Sequence, residues 1–379
     1  MNVNTTNNIN NTNNTKKKSK HIFYLDALRA LAIISVVLFH TVNTCGFLMN
    51  SKAVFLTYDW WITDIGKTCL RCGVDIFLML SGALSLGRDW EIKPFLKKRL
   101  PRITAPFLLW GFILSAIVFV LALRYPDLII IKQSFGSSSY WAFLLNSYLA
   151  KSVVCGQYWF GQYWFFWTIL GTYLIMPILN RWLFHSDLKE AEYFLFFWLI
   201  TCTFDYTLGF SFPVNLTYFT GPIGMVVLGY YLRHTKRKVF NNIKVSILLI
   251  VVGLFLSIFS SYLLSTPNKL FFTLDRYSLF MAIQVTGIFT LFKNISQLNL
   301  NILGEDGFIK KIISSIAQCS YGIYLTHRVV LCLLFLLLAE VLPYKQLLVV
   351  VAVVGFTVPW FVLIVLNKVP YLNEVIGVK

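Results

Sequence analysis

Apolar residues along the chain fall into ten runs, at about 22–43, 68–86, 103–123, 162–182, 191–207, 216–232, 245–264, 276–293, 316–340 and 346–367. Short polar or basic stretches separate them. A helix needs about 20 residues to cross the hydrocarbon core of a bilayer, and each run is close to that length. The pattern therefore predicts an all-α, polytopic membrane protein with about ten transmembrane helices. The fifth run is short and interrupted by Asp205, which makes it the weakest of the ten.

Composition agrees with the pattern. The chain has 379 residues, of which 57% are hydrophobic and only 13% charged, and its mean hydropathy is +0.69. A soluble domain carries about 25% charged residues to wet its surface. Residues 1–20 are read as a disordered, Asn/Thr-rich tail ending in Lys16, Lys17, Lys18 and Lys20, because so few apolar groups cannot offset ordering entropy. Lysines before an apolar run resemble a signal peptide, but the run is about 20 residues long and lacks a small-residue cleavage site, so it reads as an uncleaved span. Residues 21–370 form one membrane domain, and 371–379 a C-terminal tail. The outer connection at 124–161, aromatic and rich in Ser and Gly, is expected to frame an acceptor site.

The net charge of +17 raises the question of nucleic-acid binding. Its placement answers against it, since Lys and Arg sit in clusters between apolar runs. Segments assigned to the inside hold about 22 of these cations and those outside about 9, the asymmetry that orients membrane proteins with both ends cytoplasmic. The expected location is the plasma membrane, with lipids as the solvent and no nucleic-acid partner. Seven Cys are scattered, and Cys69 and Cys72 form a C-x-x-C without a second pair, which does not make a zinc site. No metal site is expected.

Ionisable residues inside spans cost about 2.5–3.5 kcal/mol each on insertion scales and mark cavities and function. The first run contains Asp26, Arg29 and His40. Asp26 and Arg29, three apart, share a face and neutralise one another. Arg29 and His40, eleven apart, lie on one side of a helix about 16 Å from each other along its axis. The ninth run carries Ser320, Tyr324 and His327 as an i, i+4, i+7 ridge, suited either to interhelical hydrogen bonds or to lining a site. Arg99 and Arg102 flank Pro101 at the inner start of the third span and form a candidate bidentate anion clamp. These residues describe a tunnel with a cationic inner mouth, an Arg partway in and a His beyond it. The neutral-range pKa of His suits it to general-base work.

Five segments carry a resemblance: Tyr24-Leu25-Asp26-Ala27-Leu28-Arg29 with His40; Gly73-Val74-Asp75-Ile76-Phe77 through Leu80-Ser81-Gly82; Arg99-Leu100-Pro101-Arg102; Tyr163-Trp164-Phe165-Phe166 with Tyr173 and Pro177; and Ser320-Tyr321-Gly322-Ile323-Tyr324-Leu325-Thr326-His327. Together, over about residues 22–366, the chain resembles the acyltransferase 3 family, and within it the branch of surface-polysaccharide O-acyltransferases. The resemblance implies transfer of an acyl group, usually acetyl, from cytoplasmic acyl-CoA to a hydroxyl of an external glycan or its lipid-linked precursor. Acetyl-CoA is then a donor substrate, and no permanently bound cofactor is expected.

The resemblance also implies roles. Arg99 and Arg102 grip the CoA phosphates, Arg29 guides the pantetheine arm or thioester, and His40 deprotonates the acceptor hydroxyl or is itself acylated. Tyr324, His327, Trp164 and Asp26 line the site. Asp75 either orients a catalytic group or packs helices. Gln162 stands where many relatives carry a His, which leaves the acceptor type open. A transporter or flippase for a lipid-linked glycan is the alternative, but the paired, broken helices of inverted repeats are missing from the pattern. Acceptor sugar, acyl length and oligomeric state are not legible in the sequence.

Overall fold

The computed structural model describes residues 22–50, 56–124, 163–266, 274–298 and 307–378. The Asn/Thr-rich tail, Gln162 and the connection at 125–161 lie outside the described residues, as does any framing of an acceptor site by that connection. Among the described residues the chain is helical throughout and has no β-strand. The helices are α1 (Phe23–Asn50), α2 (Tyr58–Leu70), α3 (Gly73–Ser85), α4 (Ile92–Arg124), α5 (Trp164–His185), α6 (Leu188–Thr203), α7 (Pro222–His234), α8 (Ile243–Leu264), α9 (Leu279–Gln297), α10 (Phe308–Leu338) and α11 (Tyr344–Leu366).

Each predicted run overlaps one helical segment once α2 and α3, joined across Arg71 and Cys72, are counted together. Among the described residues six segments are long and apolar enough to cross a membrane: Phe23–Cys45, Tyr58–Ser85, Ile243–Leu264, Leu279–Gln297, Phe308–Leu338 and Tyr344–Leu366. The protein is a multi-pass membrane protein. Helices α6 and α7, at 16 and 13 residues, are shorter than an ordinary span. The sixth run was expected to form a helix over 216–232, but a short 3₁₀ turn and Gly221 (φ 75°) intervene and the helix starts at Pro222.

Lipid accounts for an outer surface that water would not tolerate. On α8, Ile247, Leu248, Val251 and Phe255 are exposed, as are Val349, Val353 and Phe361 on α11. Helix α1 lies at the centre, packed against α2, α3, α10 and α11. Helices α3 and α7 meet almost backbone to backbone, because each offers a glycine to the other. A Cβ on Gly229 would lie 2.5 Å from Met79 Cα, and one on Gly82 would lie 2.7 Å from the carbonyl carbon of Val226.

The basic connections gather at one end of the bundle, where polar contacts tie helix ends together. Asn180 Nδ2 donates to Arg88 O at 2.9 Å, and Lys293 Nζ donates to Leu232 O and Thr235 O at 2.8 and 3.1 Å. Arg233 donates to Ala83 O. At the opposite end α6 finishes in a π-helical turn, Phe204–Leu208, closed by Gly209 at φ 75°. That turn leaves Asp205 exposed, and Thr207 Oγ1 accepts a bond from Leu279 N–H at 2.9 Å. The C-terminal segment folds back rather than trailing away. Trp110 Nε1 donates to Ile376 O at 3.1 Å, Gly322 N–H reaches Gly377 O at 3.2 Å, and Ile376 is buried.

Candidate active site

Helix α4 begins at Ile92, three turns before the apolar run that predicts it. Arg99 and Arg102 are therefore helical rather than in a connection. Three residues apart, they share a face. Both line a cavity of about 100 Å³ together with Arg29, Ser81, Tyr173 and Tyr324. Arg99 Nη2 donates to Ser85 Oγ at 3.2 Å, and Arg102 is exposed at the mouth. Tyr321 Oη donates to Ile103 O at 2.7 Å, which fixes α10 against α4 beside the cavity.

Arg29 Nη1 lies 3.3 Å from Asp26 Oδ1, one turn back on α1, with side chains 20% and 15% exposed. Arg29, Arg99 and Arg102 together bring three guanidiniums to the inner cavity. Nearby, in the connection after α3, Arg88 is pushed below the usual guanidinium range, first by partial burial and then by Arg233 and Arg99. Cations crowd this end of the bundle, and an anionic ligand would relieve them.

His40 lines a different cavity, of about 90 Å³, with Arg71, Val74, Trp164 and Arg276. Its Nδ1 is buried and has no hydrogen-bond partner among the described residues. His327 is fully buried beside it, with ring centroids 5.3 Å apart. The Nδ1 of His327 is 3.0 Å from Ile323 O, a contact that assigns the proton to Nδ1 and leaves Nε2 as an acceptor. The ridge on α10 thus runs from one cavity to the other: Ser320 and Tyr324 line the inner one, and His327 stands next to His40.

The continuous tunnel expected from the sequence is divided in this structure. Between Arg29 and His40 stands an aromatic cluster, Phe77 against Phe165 at 6.2 Å and Phe165 against Tyr324 at 5.6 Å. Tyr324 in turn is 6.5 Å from His327. Phe77, Phe165 and Tyr324 all belong to the wall of the inner cavity, whereas their neighbours Val74 and Trp164 face the outer one. Asp75 lines neither. It is fully buried, within electrostatic reach of Arg276 and Arg71, and neither carboxylate oxygen is hydrogen-bonded among the described residues.

Arg71 and Arg276, two of the roughly nine cations that the charge pattern assigns to the outside, line this outer cavity. Arg71 continues the α2–α3 rod, and Arg276 precedes α9. Each stands near the outer edge of an apolar run, at 68–86 and 276–293, and nothing in that placement distinguishes a cavity-lining cation from a solvated one.

A helical membrane bundle with a cationic cavity at one end and, beyond it, a half-buried His40 packed on a buried His327 defines a membrane protein able to hold an anionic ligand next to a proton acceptor. The chain matches the acyltransferase 3 family, described as an acyltransferase domain, over residues 22–366, and it belongs to that family. It is a membrane acyltransferase. No curated protein and no solved structure matches it.

Proposed function

We propose that this enzyme is an O-acetyltransferase of the plasma membrane with both termini cytoplasmic. It moves an acetyl group from cytoplasmic acetyl-CoA to a hydroxyl of a cell-surface polysaccharide or its lipid-linked precursor. The observation that carries the reading is the convergence of Arg29, Arg99 and Arg102 on one cavity, with His40 in the next cavity along the same helix. Three guanidiniums on one cavity suit the several phosphates of CoA, which accept charge-assisted bidentate bonds. The clustering of basic connections at the Arg99 end supports a cytoplasmic donor side.

In this reading Arg99 and Arg102 hold the CoA phosphates, and Arg29 steers the pantetheine arm. The imidazole of His40 takes the proton of the acceptor hydroxyl as its oxygen attacks the thioester carbonyl. The C–S bond then breaks, the acyl group stays on the acceptor oxygen, and the CoA sulfur leaves with the proton returned from His40. For the thioester to reach His40, the rings of Phe77, Phe165 and Tyr324 must move aside. His327, buried against His40, positions it, and Asp75 is buried within electrostatic reach of Arg71 and Arg276.

The test uses the full chain reconstituted in liposomes with labelled acetyl-CoA and a membrane fraction containing the glycan acceptor. Label should appear in ester linkage on glycan, only with donor present. Acceptor crossing the bilayer without acetyl-CoA, and without label transfer, would favour a flippase and defeat the proposal.

A further inference from the structure

Acyl transfer as derived above leaves two guanidiniums of the outer cavity without a task. Arg276 lies over Trp164, its Cζ 3.6 Å from the ring centroid. Arg71 holds its Cζ 6.0 Å from the Phe39 ring, and its Nε is buried without a hydrogen-bond partner among the described residues. Both line the cavity that contains His40. Stacking on an aromatic face fixes the plane of a guanidinium and leaves its N–H edge free to meet a planar or tetrahedral oxyanion.

The negative charges nearby do not consume these donors. Among the described residues, neither Arg71 nor Arg276 has a carboxylate within 4.0 Å. Asp75 sits behind them, buried and outside the cavity wall. Asp275 is exposed, and its Oδ1 accepts from Tyr277 N–H at 2.9 Å. The cavity therefore presents two cations and a half-buried imidazole, with unspent N–H donors whose desolvation nothing yet offsets.

We propose that the outer cavity is the acceptor subsite and that it takes an acceptor bearing an oxyanion, a carboxylate or phosphate group. Arg71 and Arg276 bind that group and so present a neighbouring hydroxyl to His40. The proposal rests on the reading of His40 as the transfer base. A neutral glycan would leave the buried Nε of Arg71 and the guanidinium of Arg276 without an anionic partner, the situation from which binding sites draw their strongest discrimination. The anion has two sources, a sugar carboxylate or the phosphate that links a glycan to its lipid.

The full chain in nanodiscs, with CoA saturating the inner cavity, is titrated with D-glucuronate, inorganic phosphate and D-glucose. At least one of the two anions should bind more tightly than glucose, glucuronate leading if the source is a sugar acid and phosphate leading if it is the lipid linkage. Arg276→Gln and Arg71→Gln should each weaken the preferred anion roughly tenfold, the loss of a charge-assisted pair, while CoA affinity stays unchanged. Arg276→Lys keeps the charge without the stacked fork and should weaken it by less. In turnover the Gln variants should raise the KM for acceptor and leave the KM for acetyl-CoA unaltered.

Glucose binding as tightly as both anions would overturn the proposal, as would wild-type anion affinity in the Gln variants. A fall in kcat at unchanged acceptor KM would also overturn it, assigning the guanidiniums to the tetrahedral intermediate instead. If a Gln variant does not fold, Arg276→Lys decides, and unaltered anion affinity counts against the subsite. Failure of the acyltransferase reading itself shows differently, as wild-type protein that neither binds CoA nor transfers acetyl.

Discussion

Helix α3, which carries one wall of the inner cavity, is held closely against α7, and Gly229→Ala tests that contact. A Cβ at this position would lie 2.5 Å from Met79 Cα and from its carbonyl carbon. Non-bonded carbons settle at about 3.5–4.0 Å, so the helices must part by roughly 1 Å, and a gap of that size forfeits about a quarter to a half of each contact it opens. The surfaces that part are well buried, Met79 and Ala83 on α3 and Met225, Val226 and Val227 on α7. Overpacking of this kind costs about 1–3 kcal/mol.

Thermal unfolding of the purified protein in one detergent reads the loss, expected as a drop in Tm of a few degrees at roughly 2–4 °C per kcal/mol. Gly171→Ala is the control. Gly171 lies on the exposed face of α5 with nothing within 4 Å of an added Cβ, so the change should be neutral or stabilising by up to about 1 kcal/mol. Because Gly82 and Gly229 share one interface, the double variant Gly82→Ala/Gly229→Ala should lose less than the two single losses combined. An unchanged Tm in Gly229→Ala, or an equal fall in Gly171→Ala, would refute the interface.

Replacing Arg99 and Arg102 together by Ala should raise the KM for acetyl-CoA by roughly tenfold or more with kcat less affected, measured by initial rates at fixed salt. Raising the salt concentration should weaken donor binding in the wild type more than in that variant, since the lost contacts are the screened ones. Phe165→Leu thins the aromatic partition between the two cavities and should increase acetyl-CoA hydrolysis in the absence of acceptor several-fold, read as free thiol released, because water exclusion prevents that side reaction. Lys293→Met leaves two carbonyls at the end of α7 without a donor and should destabilise the protein by about 1–3 kcal/mol, measured by the same thermal unfolding.

Much of the helical order was legible because hydrocarbon imposes a simple rule: long apolar runs become helices. What escaped detection did so for local reasons. Helix α2 carries Asp64 and Lys67, both buried and three residues apart, within electrostatic range of one another. Charges at such positions read as a loop until the fold pairs them. The start of α4 was obscured in the same way, since Lys93, Lys97, Lys98 and Arg99 look like topology signals although they continue a helix.

The inner cavity was more legible than the outer. Arg29, Arg99, Arg102 and Tyr324 come together on it, from three helices far apart in sequence. The division between Arg29 and His40 was not legible, because Phe77 and Phe165 are unremarkable members of apolar runs and only tertiary packing sets them across the path. Arg71 and Arg276 were hidden for the converse reason: a cation at a helix end looks the same whether it faces solvent or a cavity.

The central claim is that His40 takes the acceptor's proton during acyl transfer from CoA. The most direct measurement compares wild type and His40→Ala in liposomes, following label from acetyl-CoA to glycan while CoA binding is titrated in parallel. Loss of a general base predicts a fall in transfer of about 10²–10⁴-fold with CoA affinity retained. Transfer by His40→Ala at the wild-type rate, with CoA bound normally, would contradict it.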